Sequence, residues 1–186
     1  MKYVALNSDG VSRVVIEDLV KYTCELDKFT YEKSDGEIGT LSGYAVGYCL
    51  INNDIDPNSV TASQVTDFLK PYKITSLQSD FDLVVEGGFI YTNGDQFSFG
   101  YEQQNEFYQK QSLLLLNPLL SSVQVLTKNN GIKDYSKEEF INLITFANQF
   151  KDEQTKKFQM FVNQIKTSTY SSIQELKEIK FENENA

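Results

Sequence analysis

Residues 87–107 read GGFIYTNGDQFSFGYEQQNEF. Aromatic-rich alternating runs lie on either side of Thr92-Asn93-Gly94-Asp95, and a polar run of Gln, Glu and Asn comes next. An Asn-Gly pair between such runs signals a β-hairpin, because a type I′ turn needs positive φ at both central residues. The turn sets which residues face each other. Phe97 and Phe99 are therefore expected on one face of the hairpin and Ser98 on the other. The polar run then starts a helix over 102–116 that ends near Pro118, with Phe107, Tyr108, Leu114 and Leu115 along it. No His, Cys or Lys stands in 87–107, so the stretch offers packing and side-chain amides rather than a reactive group.

Toward the N-terminus the chain is expected to be mixed. KYVALN and VSRVV on either side of SDG predict a hairpin over 2–15. IEDLVKYTCELDKF (16–29) is compatible with helix or extended structure, since its apolar positions are only roughly helical. SDGEIGT reads as a turn, and LSGYAVGYCLI as a strand in which Gly43 and Gly47 weaken pairing or allow close approach. INNDIDPNS is a loop. TASQVTDFLK (61–70) predicts a short helix, capped by Thr61 with Gln64 and stopped by Pro71. FDLVVEGGFIY reads as the strand leading into the Asn-Gly turn.

Toward the C-terminus, SVQVLTK predicts a strand and NNG a turn. Ser136 and Glu139 form a capping box. Phe140, Leu143, Ala147, Phe150, Phe158, Phe161 and Ile165 then recur at spacings close to 3 and 4, the pattern of a long amphipathic helix. From 136 to 167 it spans roughly 48 Å at 1.5 Å per residue. Ser172 and Glu175 open a short helix that folds back. The expected class is α+β: a mainly β N-terminal part with a short helix (1–87), then a helix, a strand and turn, and a long-helix hairpin (88–186). Phe97, Phe99, Phe107, Phe140, Leu143, Phe150, Phe158, Phe161 and Ile165 are the candidate core or interface residues. A helix as long as 136–167 beside a short one leaves apolar surface for another chain to cover, which points to a homo-oligomer or a docked neighbour.

The chain has 186 residues, 17 Lys and Arg against 26 Asp and Glu, and no His. A net charge of −9 opposes nucleic-acid binding, which depends on cationic side chains releasing counterions. MKYVALNSDG lacks the apolar stretch of a signal peptide. No run approaches the ~18 apolar residues of a membrane span, so no membrane partner is expected. Cys24 and Cys49 read as free, buried thiols. Without His, neither a Ser-His-Asp nor a Cys-His arrangement can be built, and two Cys cannot complete a four-Cys zinc site. Asp54-Ile55-Asp56 resembles the start of a calcium loop, but Ser59 and Val65 replace the required Gly and Glu, so a turn is the reading. Asp80 and Asp82, spaced for one face of a strand, read as solvated side chains rather than an acid–base pair. No phosphate-binding glycine pattern is present. Neither catalytic nor cofactor-binding residues are expected, and the expectation is of no enzyme and no cofactor.

Three stretches together resemble an uncharacterised C-terminal domain of bacteriophage tail-fibre and tail-fibre-associated proteins, over about residues 88–180. The first is the hairpin with Phe97 and Phe99 before Gln103, Gln104 and Asn105. The second is the helix start at Tyr135, Ser136, Glu139 and Phe140. The third is the closing pattern Ile165, Thr169, Ser171, Ser172, Glu175 and Leu176. The sequence departs from the family in having Gln124 or Val125 where a Trp often stands, and in lacking His in the long helix. The resemblance implies a virion structural protein of a tail fibre, baseplate or collar, made in the bacterial cytoplasm and partnered by other phage structural proteins. An assembly chaperone for a fibre and a small carboxylate-dependent enzyme are the alternative readings.

Overall fold

In the computed structural model, which describes residues 1–6, 13–42, 47–170 and 172–181, the chain is mixed α and β, with sheets leading and helices following. It forms two compact units, and neither is continuous in sequence. One comprises Met1–Leu77 with Phe161–Lys180; the other comprises Gln78–Met160 with Phe181. The sequence pattern had instead suggested a division at 87/88.

In the first unit, β1 (Lys2–Leu6) is the central strand of an antiparallel sheet, between β2 (Arg13–Ile16) and a later strand, β6 (Gly47–Ile51). The expected hairpin is present. Its SDG turn lies outside the described residues. Tyr3, Val4, Ala5 and Leu6 are all buried, as a strand paired on both sides and covered on both faces requires. The ambiguous segment 16–29 is extended, not helical. It gives β3 (Leu19–Cys24) and runs into β4 (Lys28–Lys33), which pairs on its far side with β5 (Ile38–Ser42). Asp18 at φ 59 breaks any helix through this point. The expected turn at 34–40 therefore covers only its first residues, and Ile38–Thr40 belong to β5. Of the strand expected over 41–51, Leu41 and Ser42 belong to β5 and Gly47–Ile51 form β6, while 43–46 lie outside the described residues. Gly47 lies against Val65 and Ile173, and Gly43 lies outside the described residues. Tyr3 stacks between Phe29 and Tyr48, with ring centroids 4.4 and 5.0 Å away.

The short helix expected at 61–70 is instead α1 (Ala62–Gly87), 26 residues long with Pro71 inside it. The cap is as expected: Gln64 Oε1 accepts from the Thr61 N–H at 2.8 Å, and the Gln64 N–H donates to Thr61 Oγ1 at 3.3 Å. Pro71 does not stop the helix. Its ring removes one backbone bond and costs on the order of 3 kcal/mol. A row at i, i+4 spacing outweighs it: Val65, Leu69, Lys73, Leu77 and Val85 are buried, with Phe81 partly so. Pro71 itself is exposed, so the Asp67 carbonyl left without a helix donor lies on the wet side. FDLVV is the last part of this helix and not a strand. Lys73 reaches with Nζ to the Lys177 carbonyl at 3.1 Å, near the end of α4 (Ile173–Glu178), where a cation suits the helix dipole.

The second unit takes in the last part of α1, from Gln78, and the hairpin follows where the helix ends. Gly88 has φ +81, and a Cβ there would sit 1.8 Å from the Phe97 carbonyl oxygen, so only glycine permits the chain to turn into the hairpin. The hairpin strands β7 (Phe89–Ile90) and β8 (Gln96–Phe97) are shorter than expected. The turn also differs from type I′. Tyr91 N–H donates to the Asp95 carbonyl and Gly94 N–H to the Tyr91 carbonyl, both at 2.8 Å, and only Gly94 has positive φ (+85). This is a three-residue loop, a type I turn closed by a left-handed glycine with a bulge. Helix α2 (Tyr101–Leu116) starts and ends close to where it was expected. A second hairpin pairs β9 (Ser122–Thr127) with β10 (Gly131–Ser136), a strand the sequence does not signal. The Ser136–Glu139 box then starts α3 (Lys137–Thr167): Ser136 N–H donates to Glu139 Oε2 at 2.9 Å and Glu139 N–H to Ser136 Oγ at 3.3 Å. The core of this unit is aromatic: Phe89, Phe97, Phe99, Phe107, Tyr135, Phe140 and Phe150 around Leu114, Val125, Leu143 and Ala147. No described helix is long and apolar enough to cross a membrane.

Candidate functional site

The densest polar cluster among the described residues forms where the two hairpin turns of the second unit meet. Asp95, just past the Asn-Gly pair, is fully buried. Its Oδ1 accepts from Lys133 Nζ at 2.5 Å and Asn130 Nδ2 at 2.7 Å, and its Oδ2 from the Tyr135 hydroxyl and from Asn93 Nδ2 at 2.9 Å. Backbone groups tie the same turns. Lys128 N–H donates to the Gln96 carbonyl at 2.7 Å, Gln96 N–H donates to Asn129 Oδ1 at 2.9 Å, and Asn129 Nδ2 reaches the Gly94 carbonyl at 3.0 Å. Thr127 Oγ1 closes the second turn by donating to the Gly131 carbonyl at 2.8 Å.

The electrostatics derive from this donor set. Burial alone would push the Asp95 carboxyl up. The Lys133 ammonium, the Tyr135 hydroxyl and the Asn130 amide outweigh that and hold it at about 2. Burial pushes the Tyr135 phenol up to about 12; the Asn93 bond opposes this, and the Asp95 carboxylate adds to it. Neither group exchanges protons near neutral pH, where a general base is tuned to work. With both carboxylate oxygens occupied by protein donors, the cluster is a clamp between two turns.

The nine candidate aromatic and aliphatic residues divide by unit. Phe97, Phe99, Phe107, Phe140, Leu143 and Phe150 come together in the second unit's core, and Phe97 and Phe99 each pack edge-on against Phe107. Phe158 is also in this unit, against Phe81 and Phe181. Ile165 is buried in the first unit, and Phe161 there is half-buried. A cleft of about 350 Å³ opens beside β7, lined by Phe89, Ile90, Phe146, Gln149, Phe150 and Glu153.

Asp80 and Asp82 lie on α1 rather than on a strand, and Asp82 accepts from Gln78 Nε2 at 2.9 Å. Asp56 caps the 3₁₀ turn Pro57–Ser59 through the Asn58 N–H at 2.9 Å, so the DIDPN segment is a turn. Cys24 and Cys49 are free thiols; Cys49 is buried and burial pushes it up to about 11, whereas Cys24 is only partly covered. Among the described residues no three Cys, Asp or Glu side chains group so as to hold a metal ion.

Sequence reasoning missed Asp95 and its donors as a cluster. Asn93 and Asp95 read as turn chemistry alone, and nothing local to them announces Lys133. The only available signal was a second Asn-rich turn, NNG, at the end of the next predicted strand.

No protein family, curated protein or solved structure matches this chain.

Proposed function

We propose that this chain is a structural protein of the bacteriophage tail, a fibre, baseplate or collar component that works through contacts with other structural proteins. One observation carries the contact-making part: large apolar side chains stand in solvent on a protein that has a well-filled core. Leu116 and Leu119 are 84% and 94% exposed, and Ile38, Leu126 and Ile132 are exposed as well. At the end of α2, Leu113, Leu115, Leu116 and Leu119 are exposed within seven residues, and contiguous apolar surface of this kind marks interaction sites. The assignment to a phage tail rests on the resemblance of the hairpin, the capped helix start and the closing helix. The capping residues that carry it also cap helices here, at Ser136 with Glu139 and at Ser172 with Glu175.

The experiment is mass spectrometry of purified phage particles from a lysate in which this chain is expressed. Its recovery at a fixed copy number per particle is the expected result. Its absence from particles, with fibres that fail to assemble when it is deleted, would replace the structural role with that of an assembly chaperone. Its absence without any assembly defect would overturn the phage assignment.

A further inference from the structure

We propose that the cleft beside β7 is a socket for an arginine side chain presented by a different protein. The inference rests on the contact-making reading above and names the chemistry of the partner. The cleft lies within the second unit, between β7 and α3, and has a volume of about 350 Å³. That is the small end of the ~300–1,000 Å³ range of ligand sites, a size suited to one anchoring group. Its walls are aromatic. The rings of Phe146 and Phe150 stand 5.5 and 5.6 Å from that of Phe89, and Tyr91 braces Phe146 edge-on at 5.3 Å. Phe89 and Phe150 are buried, so the core holds these walls in place. Ile90 stands on the rim, 53% exposed. Two polar side chains complete the lining, Gln149 and Glu153, one turn apart on α3. Among the described residues, neither has a side-chain hydrogen bond or ion pair. No cation lines the cleft. Of the α3 lysines that flank Glu153, Lys151 donates to Gln104 Oε1 at 2.6 Å and Lys157 lies over the Phe181 ring. Lys156 is exposed and makes no ion pair among the described residues.

The lining selects the occupant. Aromatic faces attract a cation, and a carboxylate without a protein partner suits N–H donors. An anionic group is repelled. A purely apolar plug would strip water from Glu153 and return no hydrogen bond. Of the two cationic side chains, arginine fits better. Its flat guanidinium stacks on a ring while its N–H edge still reaches a carboxylate, whereas a lysine ammonium is strongly hydrated and has no face to stack. Gln149 adds an amide oxygen as a further acceptor, and the methylene stem of the arginine can lie over Ile90. A second copy of this chain does not supply the group. Arg13 is the only arginine in the sequence, and it is part-buried, donating to the Val60 carbonyl at 3.0 Å. The partner is therefore another protein, and arginine is among the residues that most often anchor such contacts. The net charge of −9 on this chain draws a basic partner toward it.

Two-dimensional NMR of the full chain, titrated with an N-acetylated, C-amidated Gly-Arg-Gly peptide, tests this, with lysine and citrulline versions alongside. Citrulline keeps the shape of arginine and loses the charge. The expected result is saturable shifts of the Phe89, Ile90, Phe146, Gln149, Phe150 and Glu153 amides with the arginine peptide. The lysine peptide should bind more weakly and the citrulline peptide not at all. Glu153→Gln should weaken the arginine peptide roughly fivefold, the upper range for a solvent-exposed ion pair. Glu102→Gln, on α2, should leave it unchanged. Both side chains are exposed, so each variant should keep the wild-type spectrum away from the substitution. No saturation at the cleft by roughly 10 mM peptide, a concentration that reveals even millimolar affinity, overturns the proposal. So does a lysine or citrulline peptide that binds as well as the arginine one. Equal weakening by the Glu102 change also overturns it, because net charge alone would then draw the peptide. Recovery of the chain from particles together with a cleft that ignores the arginine peptide would sink this inference and leave the tail assignment standing. An arginine peptide seated in the cleft of a chain absent from every particle would do the reverse.

Discussion

Replacing Asp95 with Asn tests the clamp most directly, because it keeps the size of the side chain and removes its charge. In the wild type the carboxyl titrates at about 2, against an ordinary 3.8. At ~1.36 kcal/mol per unit, that difference contributes about 2 kcal/mol to the folded state. The direction is fixed by linkage. The native carboxyl has the lower pKa, so between the two values the unfolded chain binds more protons. The stabilisation is complete above about pH 4 and is lost as pH falls toward 2. The Asp95→Asn change would also turn an amide N–H₂ toward donors from Lys133, Asn130, Asn93 and Tyr135, leaving at least one buried donor unmatched. Lys133 is 40% exposed and can recover water, which limits the penalty. At pH 7 the expected destabilisation is about 3 kcal/mol, since a lost bond to a charged group costs roughly 1.5–3 kcal/mol and an unmatched donor adds to it. For a chain of this length that lowers Tm by roughly 6–12 °C. Thermal melts of both proteins, followed by far-UV circular dichroism from pH 7 down to pH 2, provide the assay. The wild-type Tm should fall more steeply than the variant's between pH 4 and 2, so that the two curves converge. Parallel curves, or a variant within about 2 °C of wild type at pH 7, would show that Asp95 is not the fastening between the turns.

Two further substitutions probe the same unit. Phe99→Ala removes a ring that is 2% exposed and packs edge-on against Phe89 and Phe107; a buried Phe→Ala change costs about 3–5 kcal/mol, and a melt at the wild-type temperature would refute its place in the core. Gly88→Ala puts a Cβ 1.8 Å from a backbone oxygen at positive φ. Strain of this kind costs on the order of 1–3 kcal/mol before the clash is counted, so a urea midpoint equal to wild type would show that glycine is not required at the helix-to-hairpin junction.

What the sequence made legible was what neighbouring residues settle between themselves. The three capping pairs, Thr61 with Gln64, Ser136 with Glu139 and Ser172 with Glu175, each close over three residues and all formed. The alternation of Phe97 and Phe99 needed only the strand period. Where the sequence misled, a local rule lost to a longer one. Pro71 is a helix stop by propensity, yet the i, i+4 row from Val65 to Val85 passes through it, and the burial along that row exceeds the cost of one missing bond. The same row claims Phe81 to Val85, whose apolar run taken alone reads as a strand. Strand β10 shows no period-2 apolar pattern: Ile132 is exposed and Tyr135 buried. Its ladder with β9 creates it. The Asn-Gly pair announced a turn correctly, but the turn has a three-residue loop in which only Gly94 takes positive φ, so its type was not legible from the pair.

The Asp95 site is invisible in the sequence because its parts lie far apart along the chain, and the fold needs it for the same reason. Strands of two residues, as in β7 and β8, cannot hold a hairpin by their own ladder in water. The bulged turn places Asp95 inward, where donors 35 to 40 residues further on converge. Those donors are equally dependent on the carboxylate: a lysine, a phenol and an amide around one point are tolerable in a buried site only if an acceptor stands there. Each hairpin therefore supplies what the other cannot leave unpaired. Lys128 and Asn129 then complete the outer edge of β8, at Gln96, with backbone and amide bonds. The two hairpins remain separate two-stranded sheets but are joined turn to turn, and Phe97 and Phe99, at the end of the first, pack against Phe107 of α2. The outward leucines of α2 owe their presentation to this arrangement, because the helix is fixed from its inner face by the rings the clamp sets in place.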